Sequence, residues 1–291
     1  MASQGSNRRQ LGPFSVAPLG YGAMRLAGEN VFGPPKDRRE AVALLREAVE
    51  RGVDHIDTAQ YYGPDIVNEL IHEALYPYPP ELVIVSKVGA GRDARAGIFA
   101  ADSPTELRRG IEDNLRTLRI DTLPVVNLRL MRTSGPDAYF DDQLTAMMSA
   151  RDEGLIASIG LSNITLDHLL HALASTDIAC VQNAFHLLNR LSQPVLDECT
   201  RRGIAFVPFA PLGSGETGAT SVLAAPRVVR VAARLGCTAA QLVLAWTLGV
   251  APNVLLIPGS SSRDHLRENL AAADLHLDPD AGAELASVRT G

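Results

Sequence analysis

Cysteine is scarce in this chain of 291 residues. The three cysteines are Cys180, Cys199 and Cys237, and their spacing matches neither a CxxC pair nor a cluster of metal ligands. This excludes a disulfide-rich or zinc-stabilised small domain and favours a reducing compartment. We therefore expect a cytoplasmic protein and predict no metal site.

Long apolar runs are absent too. No stretch reaches the roughly 18 apolar residues of a membrane span, and residues 1–16 lack the apolar centre of a secretory signal. The net charge is −6, which argues against nucleic acid or an anionic membrane as a main partner. With 46% hydrophobic and 21% charged residues, the composition is that of a soluble globular chain, long enough for one large domain. Nothing in it sets the oligomeric state, so a monomer is the default expectation.

Lysine is the scarcest charged residue, since only Lys36 and Lys87 occur and arginine supplies the other fixed positive charges. Lys87 ends the apolar run of residues 82–87, which predicts a buried strand. Asp57 and Tyr62 lie in the segment HIDTAQYYG. A tyrosine has an unperturbed pKa of about 10. A nearby ammonium stabilises the phenolate and lowers that pKa, while a carboxylate keeps the ammonium charged and oriented. The three residues therefore predict a tyrosine that can donate a proton to a carbonyl oxygen.

Short apolar strands alternate with amphipathic helices along the chain. The strands are predicted at 18–23, 53–57, 82–87, 124–129, 156–161, 178–182, 204–209 and 254–257. The helices are predicted at 37–51, 65–75, 104–118, 138–152, 165–174, 192–202, 225–235, 238–249, 263–273 and 279–289. Eight strands in this rhythm indicate an α/β fold of the (β/α)8 (TIM) barrel type in a single domain. A doubly wound sheet is the alternative, but the GxGxxG turn expected after its first strand is absent.

Polar or aromatic groups stand at the end of nearly every predicted strand. They are Asp57, Lys87, Arg129, Ser162, Asn163, Gln182, Phe209 and the turn of residues 259–262. A single strand-end Asp or Asn more often caps a helix or a turn than takes part in chemistry. In a barrel, however, the C-terminal ends of all strands meet at one mouth, where active sites are built. The joint pattern therefore predicts one site.

The motifs of the chain resemble those of the aldo-keto reductase family, in order and in spacing. The matching segments are LGYGAM (19–24), HIDTAQYYG (55–63), SKVG (86–89), IGLSN (159–163), VQN (181–183), PFAPLG (208–213) and IPGSSSRDHLREN (257–269). The resemblance runs from about Leu11 to the C-terminus. It implies a barrel over residues 11–291 with a short N-terminal hairpin and extra C-terminal helices, after a flexible tail of residues 1–10.

The resemblance also implies residue roles. Asp57, Tyr62 and Lys87 match three members of the family's catalytic tetrad, with Tyr62 as the general acid for aldehyde or ketone reduction. The implied cofactor is a nicotinamide dinucleotide, with Ser162, Asn163 and Gln182 on the carboxamide and Phe209 stacked on the nicotinamide ring. Leu212 and Gly213 are implied near the pyrophosphate. The remaining implied cofactor-binding residues are Gly22, Met24, Gly259, Ser260, Ser261, Ser262, Arg263, Glu268 and Asn269, with those from Ser260 onward at the adenosine end.

The fourth tetrad position departs from the family pattern, because Arg129 stands where the histidine is usual. An arginine cannot act as an acid, since its pKa exceeds about 12, but its guanidinium can donate hydrogen bonds to a developing alkoxide. It can also bind an anionic group of the substrate in a bidentate way. Alternatively, Arg129 only ends a strand and pairs with a surface carboxylate. His186 is a candidate substitute donor, and Asn127 shares the strand face of Arg129.

Several runs resemble the pyridoxal reductase branch of the family, which also carries NLR at this position. They include VFGPPKDR (31–38), HEALYPYPP (72–80) and VVNLRLM (125–131). A pyridoxal-type aldehyde has a phenolate oxygen beside its carbonyl, so a fixed cation near the carbonyl suits it. The pocket loops are expected at about 131–139, 214–224 and 275–291, and they decide the substrate.

NADPH is favoured over NADH, because residues 260–263 (SSSR) can bind a 2′-phosphate through hydroxyls, backbone amides and one guanidinium. Two changes weaken the preference: Gly259 stands where the family commonly has lysine, and His265 where it commonly has arginine. Two other functions stay open. One is a reductase of a keto-sugar or another specialised metabolite on the same scaffold. The other is a catalytically weak, cofactor-binding regulatory or sensor protein.

Overall fold

Parallel strands surrounded by helices form the body of the protein in a computed structural model, which describes residues 8–93, 95, 97–132, 134–213 and 222–288. The strands are β1 (Arg9–Leu11), β2 (Phe14–Val16), β3 (Tyr21–Gly22), β4 (His55–Asp57), β5 (Val83–Arg92), β6 (Ile98–Ala101), β7 (Leu123–Arg129), β8 (Ile156–Ser162), β9 (Cys180–Gln182) and β10 (Ala205–Phe206). The helices are α1 (Arg38–Glu50), α2 (Ile66–Leu75), α3 (Pro104–Leu118), α4 (Ala138–Asp152), α5 (Leu166–Leu173), α6 (Gln193–Arg202), α7 (Pro226–Leu235), α8 (Ala239–Gly249), α9 (Arg263–Ala271) and α10 (Pro279–Ala286).

The main sheet closes into a barrel. Its strands run in the order β10-β9-β8-β7-β5-β4-β3, and every pair along that path is parallel. Residues 254–256 bridge the two ends, with Val254 opposite Phe206 and Leu256 opposite Leu19. The Leu255 N–H donates to the Phe206 carbonyl at 2.9 Å, and the Gly20 N–H donates to the Leu256 carbonyl at 2.8 Å. The predicted (β/α)8 barrel is confirmed, and the doubly wound alternative is wrong.

The predicted helices are all present, with ends shifted by a few residues at most. Their buried faces pack on the outside of the sheet in one continuous apolar cluster. The predicted eighth strand, 254–257, forms only the two single bridges; Pro258 follows it and has no N–H with which to extend the ladder. Among the described residues, no single helix has the length and apolar composition to cross a membrane, although the bent pair α7 and α8 meets those two criteria when taken together.

An N-terminal hairpin closes the end of the barrel opposite the strand C-termini. Leu11 and Val16 pack into a second apolar cluster inside the barrel, which includes Val85 and Val125. The Arg9 guanidinium donates to the carbonyls of residues 248 and 254. The predicted tail of residues 1–10 is therefore too long, because residues 9 and 10 pair with β2. Residues 1–7 of that tail lie outside the described part of the chain.

A second hairpin, which the sequence pattern did not indicate, stands at the mouth of the barrel. Strand β5 continues five residues beyond Lys87 and turns back as β6, so that Arg92 pairs with Ile98. Gly89 makes this extension possible, because its φ is +102° and a Cβ there would lie 2.3 Å from the Arg129 carbonyl oxygen. The hairpin therefore carries Arg92 to the rim of the mouth beside the end of β7.

Candidate active site

A cavity of about 380 Å³ opens at the C-terminal ends of the barrel strands. Eleven of the predicted site residues line it: Gly22, Met24, Asp57, Tyr62, Lys87, Arg129, Gln182, Phe209, Leu212, Gly213 and Gly259. The other lining residues, which were not predicted, are Arg25, Tyr61, Arg92, Ile98, Ala210, Pro211, Ile257 and Pro258. The mouth of the barrel thus brings together the proposed catalytic groups and the first part of the proposed cofactor site.

A buried ion pair forms the floor of the cavity. The Lys87 Nζ donates to Asp57 Oδ1 and, at 3.0 Å, to the Thr58 carbonyl, and both charged side chains are only 5% exposed. The Gln182 Nε2 donates to the second carboxylate oxygen, Oδ2. Both oxygens of Asp57 are therefore bonded, which is the condition under which a buried ion pair is tolerated. Lys87 is held as a fixed, oriented cation, as the sequence predicted.

Tyr62 lies in the loop after β4, and its ring centroid is 5.2 Å from the Lys87 Nζ. The edge of the Tyr61 ring packs against it, with centroids 5.2 Å apart. Burial raises the pKa of Tyr62 well above its ordinary value, and the Asp57 carboxylate raises it further. The guanidinium groups of Arg129 and then Arg92 oppose this rise in pKa. The Tyr62 pKa is therefore raised rather than lowered as the sequence predicted, because desolvation and the Asp57 carboxylate outweigh the neighbouring positive charges. Tyr62 is instead held as a protonated phenol.

Arg129 ends β7 and points into the cavity. Its Nη1 lies 3.5 Å from the Ser162 Oγ, and its guanidinium carbon lies 5.5 Å from the centroid of the Phe209 ring. Within the described residues, no carboxylate is within ion-pairing distance of Arg129, so the alternative that it pairs with a surface carboxylate is wrong. His186 does not line the cavity, and its Nδ1 accepts a hydrogen bond from the Leu188 N–H instead. Arg129 is therefore the group available at the fourth tetrad position.

Asn127 lies inside the barrel below Arg129 and does not line the cavity. It is fully buried, and its Oδ1 accepts a hydrogen bond from the Cys180 thiol at 3.3 Å. Gly160 leaves room for the amide, because a Cβ there would lie 2.1 Å from the Asn127 Oδ1. The Asn127 Nδ2 has no partner among the described residues. Asn127 thus contributes to the barrel interior rather than to the mouth.

The side chains expected around the nicotinamide differ in which of their hydrogen-bond donors and acceptors are already used. The Gln182 Oε1 is buried and has no hydrogen-bond partner among the described residues. Asn163 adopts a left-handed conformation with φ +59°, and its Nδ2 donates to the Leu130 carbonyl at 2.8 Å. The Ser162 hydroxyl faces Arg129 at 3.5 Å. Gln182 therefore keeps a buried, unused acceptor at this end of the cavity.

Two glycines shape the opposite wall. A Cβ at Gly22 would lie 2.4 Å from the Ile257 carbonyl oxygen, and a Cβ at Gly259 would lie 2.6 Å from the Gly22 carbonyl oxygen. The two backbones therefore approach each other as closely as they do only because neither residue has a side chain. Leu212 and Gly213 continue the wall. Parts of all three expected pocket loops lie outside the described residues. They are residues 214–221 of the loop expected at 214–224, Thr133 of the loop at 131–139, and residues 289–291 of the segment at 275–291.

Ser260, Ser261, Ser262 and Arg263 form the turn into α9, beyond the cavity. Two of the three hydroxyls are used within the turn: the Ser260 Oγ accepts from the Ser262 N–H at 2.9 Å, and the Ser262 Oγ accepts from the His265 N–H at 3.4 Å.

The helix that follows holds the remaining predicted residues. The Glu268 carboxylate accepts a hydrogen bond from the Thr238 hydroxyl, and Asn269 is buried. Glu268 therefore contacts the N-cap residue of α8.

Arg263 is engaged by a carboxylate of α1. Its Nε donates to Glu47, which also accepts from Arg267 and Arg51. These guanidinium groups, led by Arg267, hold the pKa of Glu47 well below its usual range. The Arg263 side chain is thus paired with Glu47 rather than directed only into solvent. A phosphate bound at this turn would have to share the guanidinium with the charged Glu47.

Three lining residues were missed for identifiable reasons. Tyr61 neighbours the matched Tyr62 and carries no separate motif. Arg92 lies beyond the predicted end of β5 and reaches the mouth only because that strand continues as a hairpin. Arg25 follows the matched LGYGAM segment directly. None of the three carries a separate sequence signal, and the position of Arg92 follows only from the pairing of β5 with β6.

Comparisons with known proteins bear on this geometry. The sequence profile of the aldo/keto reductase family matches residues 18–290. Pyridoxine 4-dehydrogenase of Escherichia coli (strain K12) is 47% identical over 275 residues, which cover 94% of each chain.

Solved structures show the same fold. A thermostable aldo-keto reductase, crystallised with the inhibitor epalrestat, has a TM-score of 0.80 and 28% identity, and the match covers 96% of this chain and 98% of that one. An aldo/keto reductase from Klebsiella pneumoniae, crystallised with NADP and acetate, has a TM-score of 0.77 and 26% identity, and the match covers 95% of this chain and 94% of that one.

Proposed function

This chain belongs to the aldo/keto reductase family, and we propose that it is an NADPH-dependent carbonyl reductase whose favoured substrate is a pyridoxal-like aldehyde. The observation that carries the proposal is the buried Asp57–Lys87 pair beside the protonated phenol of Tyr62, with Arg129 in the same cavity. The substrate class is supported by the relative named pyridoxine 4-dehydrogenase, at 47% identity.

The residues at the mouth fit a nicotinamide dinucleotide. The unpartnered Gln182 Oε1 can accept a hydrogen bond from a carboxamide, and the Phe209 ring lies at the same wall. Gly22 and Gly259 leave a cradle that a Cβ would fill. NADPH is the proposed form, supported by the NADP-bound relative and by the start of α9, because the N-terminal end of a helix favours an anion. The role of Arg263 in that preference is smaller than expected from the sequence, because Glu47 holds it.

The proposed chemistry divides hydride and proton between two sources. Bound NADPH supplies the hydride to the carbonyl carbon. The Tyr62 hydroxyl donates its proton to the carbonyl oxygen as a general acid. Arg129 donates a hydrogen bond to the same oxygen as negative charge develops on it, in the place of the usual histidine. Lys87, fixed by Asp57, stabilises the phenolate that remains on Tyr62.

A raised Tyr62 pKa predicts a particular dependence on pH. Reduction needs the phenol protonated, so its kcat/KM is expected to stay level from neutral pH up to about pH 10, the ordinary tyrosine pKa. Alcohol oxidation needs the phenolate, so its rate is expected to rise about tenfold per pH unit across that window. Benzaldehyde and benzyl alcohol are the substrates to measure, because neither titrates there. A plateau of the oxidation rate near neutral pH would show instead that the Tyr62 pKa is lowered.

A panel of carbonyl compounds tests the proposed function. NADPH oxidation should be fastest, by kcat/KM, with pyridoxal, slower with simple aldehydes, and slowest with keto-sugars; pyridoxine should accumulate as the product. A higher kcat/KM for a keto-sugar than for pyridoxal would contradict the proposed substrate but not the proposed mechanism. Tight NADPH binding with no oxidation on any aldehyde would favour the sensor alternative, against which the intact Asp57–Lys87 pair argues.

A further inference from the structure

Basic side chains dominate the lining of the active-site cavity, although the chain as a whole carries a net charge of −6. Arg25, Lys87, Arg92 and Arg129 line it, and within the described part of the chain Asp57 is the one carboxylate in the lining. That carboxylate is bonded to Lys87 and Gln182. Among the described lining residues there is therefore no further carboxylate that could neutralise Arg129.

The three arginines fall into two groups by position. The Arg25 side chain lies next to Gly259, its Cγ 3.5 Å from where a Cβ of that glycine would be, at the wall proposed for the cofactor. Arg92 and Arg129 instead act on the phenol of Tyr62, and both oppose the rise of its pKa. They are therefore the two arginines of the cavity that act on Tyr62, whose hydroxyl the carbonyl oxygen must meet.

Arg92 is held over the mouth by two elements. Its backbone pairs with Ile98 in the β5–β6 hairpin, and its Nη1 donates to the Asn30 carbonyl at 3.0 Å. Ile98 also lines the cavity and is 46% exposed, which sets an apolar surface beside the guanidinium. A planar, anionic ligand suits such a rim, because the aliphatic side chain covers a ring face while the cation meets its charged oxygen.

We propose that Arg92 and Arg129 form an anion subsite, and that the substrates of this protein carry an anionic oxygen adjacent to the reacting carbonyl. The inference rests on the proposed function and deepens it, since it names Arg92 as a substrate-selecting residue. Both Arg92 and Arg129 line the cavity that receives the carbonyl. An anionic oxygen beside the carbonyl binds between them and orients the carbonyl toward Tyr62.

Two matched aldehydes and two matched variants test the subsite. The aldehydes are 2-formylbenzoate and methyl 2-formylbenzoate, which share the ring and the carbonyl and differ in the charge. Arg92→Met removes the proposed cation but keeps a long apolar side chain. Arg95→Met is the control, because Arg95 is an exposed residue of the same hairpin and does not line the cavity. Thermal unfolding and NADPH affinity, measured for each variant, exclude loss of folding or of the cofactor.

The wild-type protein should prefer the carboxylate over the ester by about tenfold in kcat/KM, the size of one charge-assisted contact. In Arg92→Met the ratio of the two kcat/KM values should fall about tenfold, mainly through a higher KM for the carboxylate. Arg95→Met should keep the wild-type preference. If wild-type protein reduces both aldehydes equally, or if Arg92→Met keeps the preference, the subsite is wrong and the reductase function stands. If neither aldehyde is reduced by wild-type protein, nor any other carbonyl compound, the proposed function itself fails.

Discussion

Replacement of Tyr62 by phenylalanine is expected to lower kcat for carbonyl reduction by about 10²–10⁴-fold, the usual contribution of a general acid. The variant removes the hydroxyl and keeps the ring, so the packing against Tyr61 and the cation over the ring are retained. NADPH affinity should not change, because the proposed cofactor contacts come from other residues. Steady-state rates and an NADPH binding titration measure the two quantities separately.

Tyr61→Phe is the matched control. Tyr61 lies next to Tyr62, lines the same cavity and is buried to a similar extent. Its hydroxyl is therefore the competing candidate for the acid, and only kinetics separates the two. We expect Tyr61→Phe to retain kcat within a few-fold. If Tyr61→Phe lowers kcat as much as Tyr62→Phe does, the general acid is Tyr61, or both hydroxyls contribute to proton transfer.

The second large effect is expected on stability, at the Asp57–Lys87 pair. Each of Asp57→Asn and Lys87→Met should lower the free energy of unfolding by about 3–5 kcal/mol, because it leaves one charge buried without its counter-ion. The double variant should cost clearly less than the sum of the two, since it leaves no unpaired charge. Urea unfolding at neutral pH measures all three, and both single variants should also lose reductase activity.

An exposed ion pair provides the comparison. The Arg38 Nη2 lies 2.6 Å from the Glu73 Oε2 on a neighbouring helix, and the two side chains are 44% and 47% exposed. Glu73→Gln should change the free energy of unfolding by at most about 1 kcal/mol. The double variant at the buried pair could lower the free energy of unfolding by as much as both single variants together. In that case Asp57 and Lys87 do not stabilise each other, and Asp57 does not hold Lys87 in place.

Most of the fold could be predicted because periodicity is a local property. Helices such as α3 and α4 have the predicted ends, since their apolar spacing and capping residues are both visible in the sequence. The β5–β6 hairpin could not be predicted, because its pairing depends on contacts with neighbouring elements and on the positive φ of Gly89. The same limit applies to Arg9 and Gln10, which read as a polar tail but pair with β2.

The candidate site divides in a similar way. Asp57, Tyr62, Lys87 and Arg129 could be placed at one mouth, because strand ends converge in a barrel and the motifs follow the strands. The direction of the Tyr62 pKa shift could not be predicted, since it depends on how the effect of burial compares with that of the neighbouring charges. The pairing of Arg263 with Glu47 could not be predicted either, because the two residues are more than two hundred positions apart in the sequence. The roles assigned to individual residues remain predictions.

Single-turnover kinetics tests the central claim most directly. Wild-type protein and Tyr62→Phe are each loaded with NADPH and mixed rapidly with the best aldehyde of the panel. The wild type should oxidise one NADPH per chain, and the variant, with the same amount of NADPH bound, should do so at least about 100-fold more slowly. Equal rates of NADPH oxidation in the two proteins would contradict the assignment of Tyr62 as the proton donor.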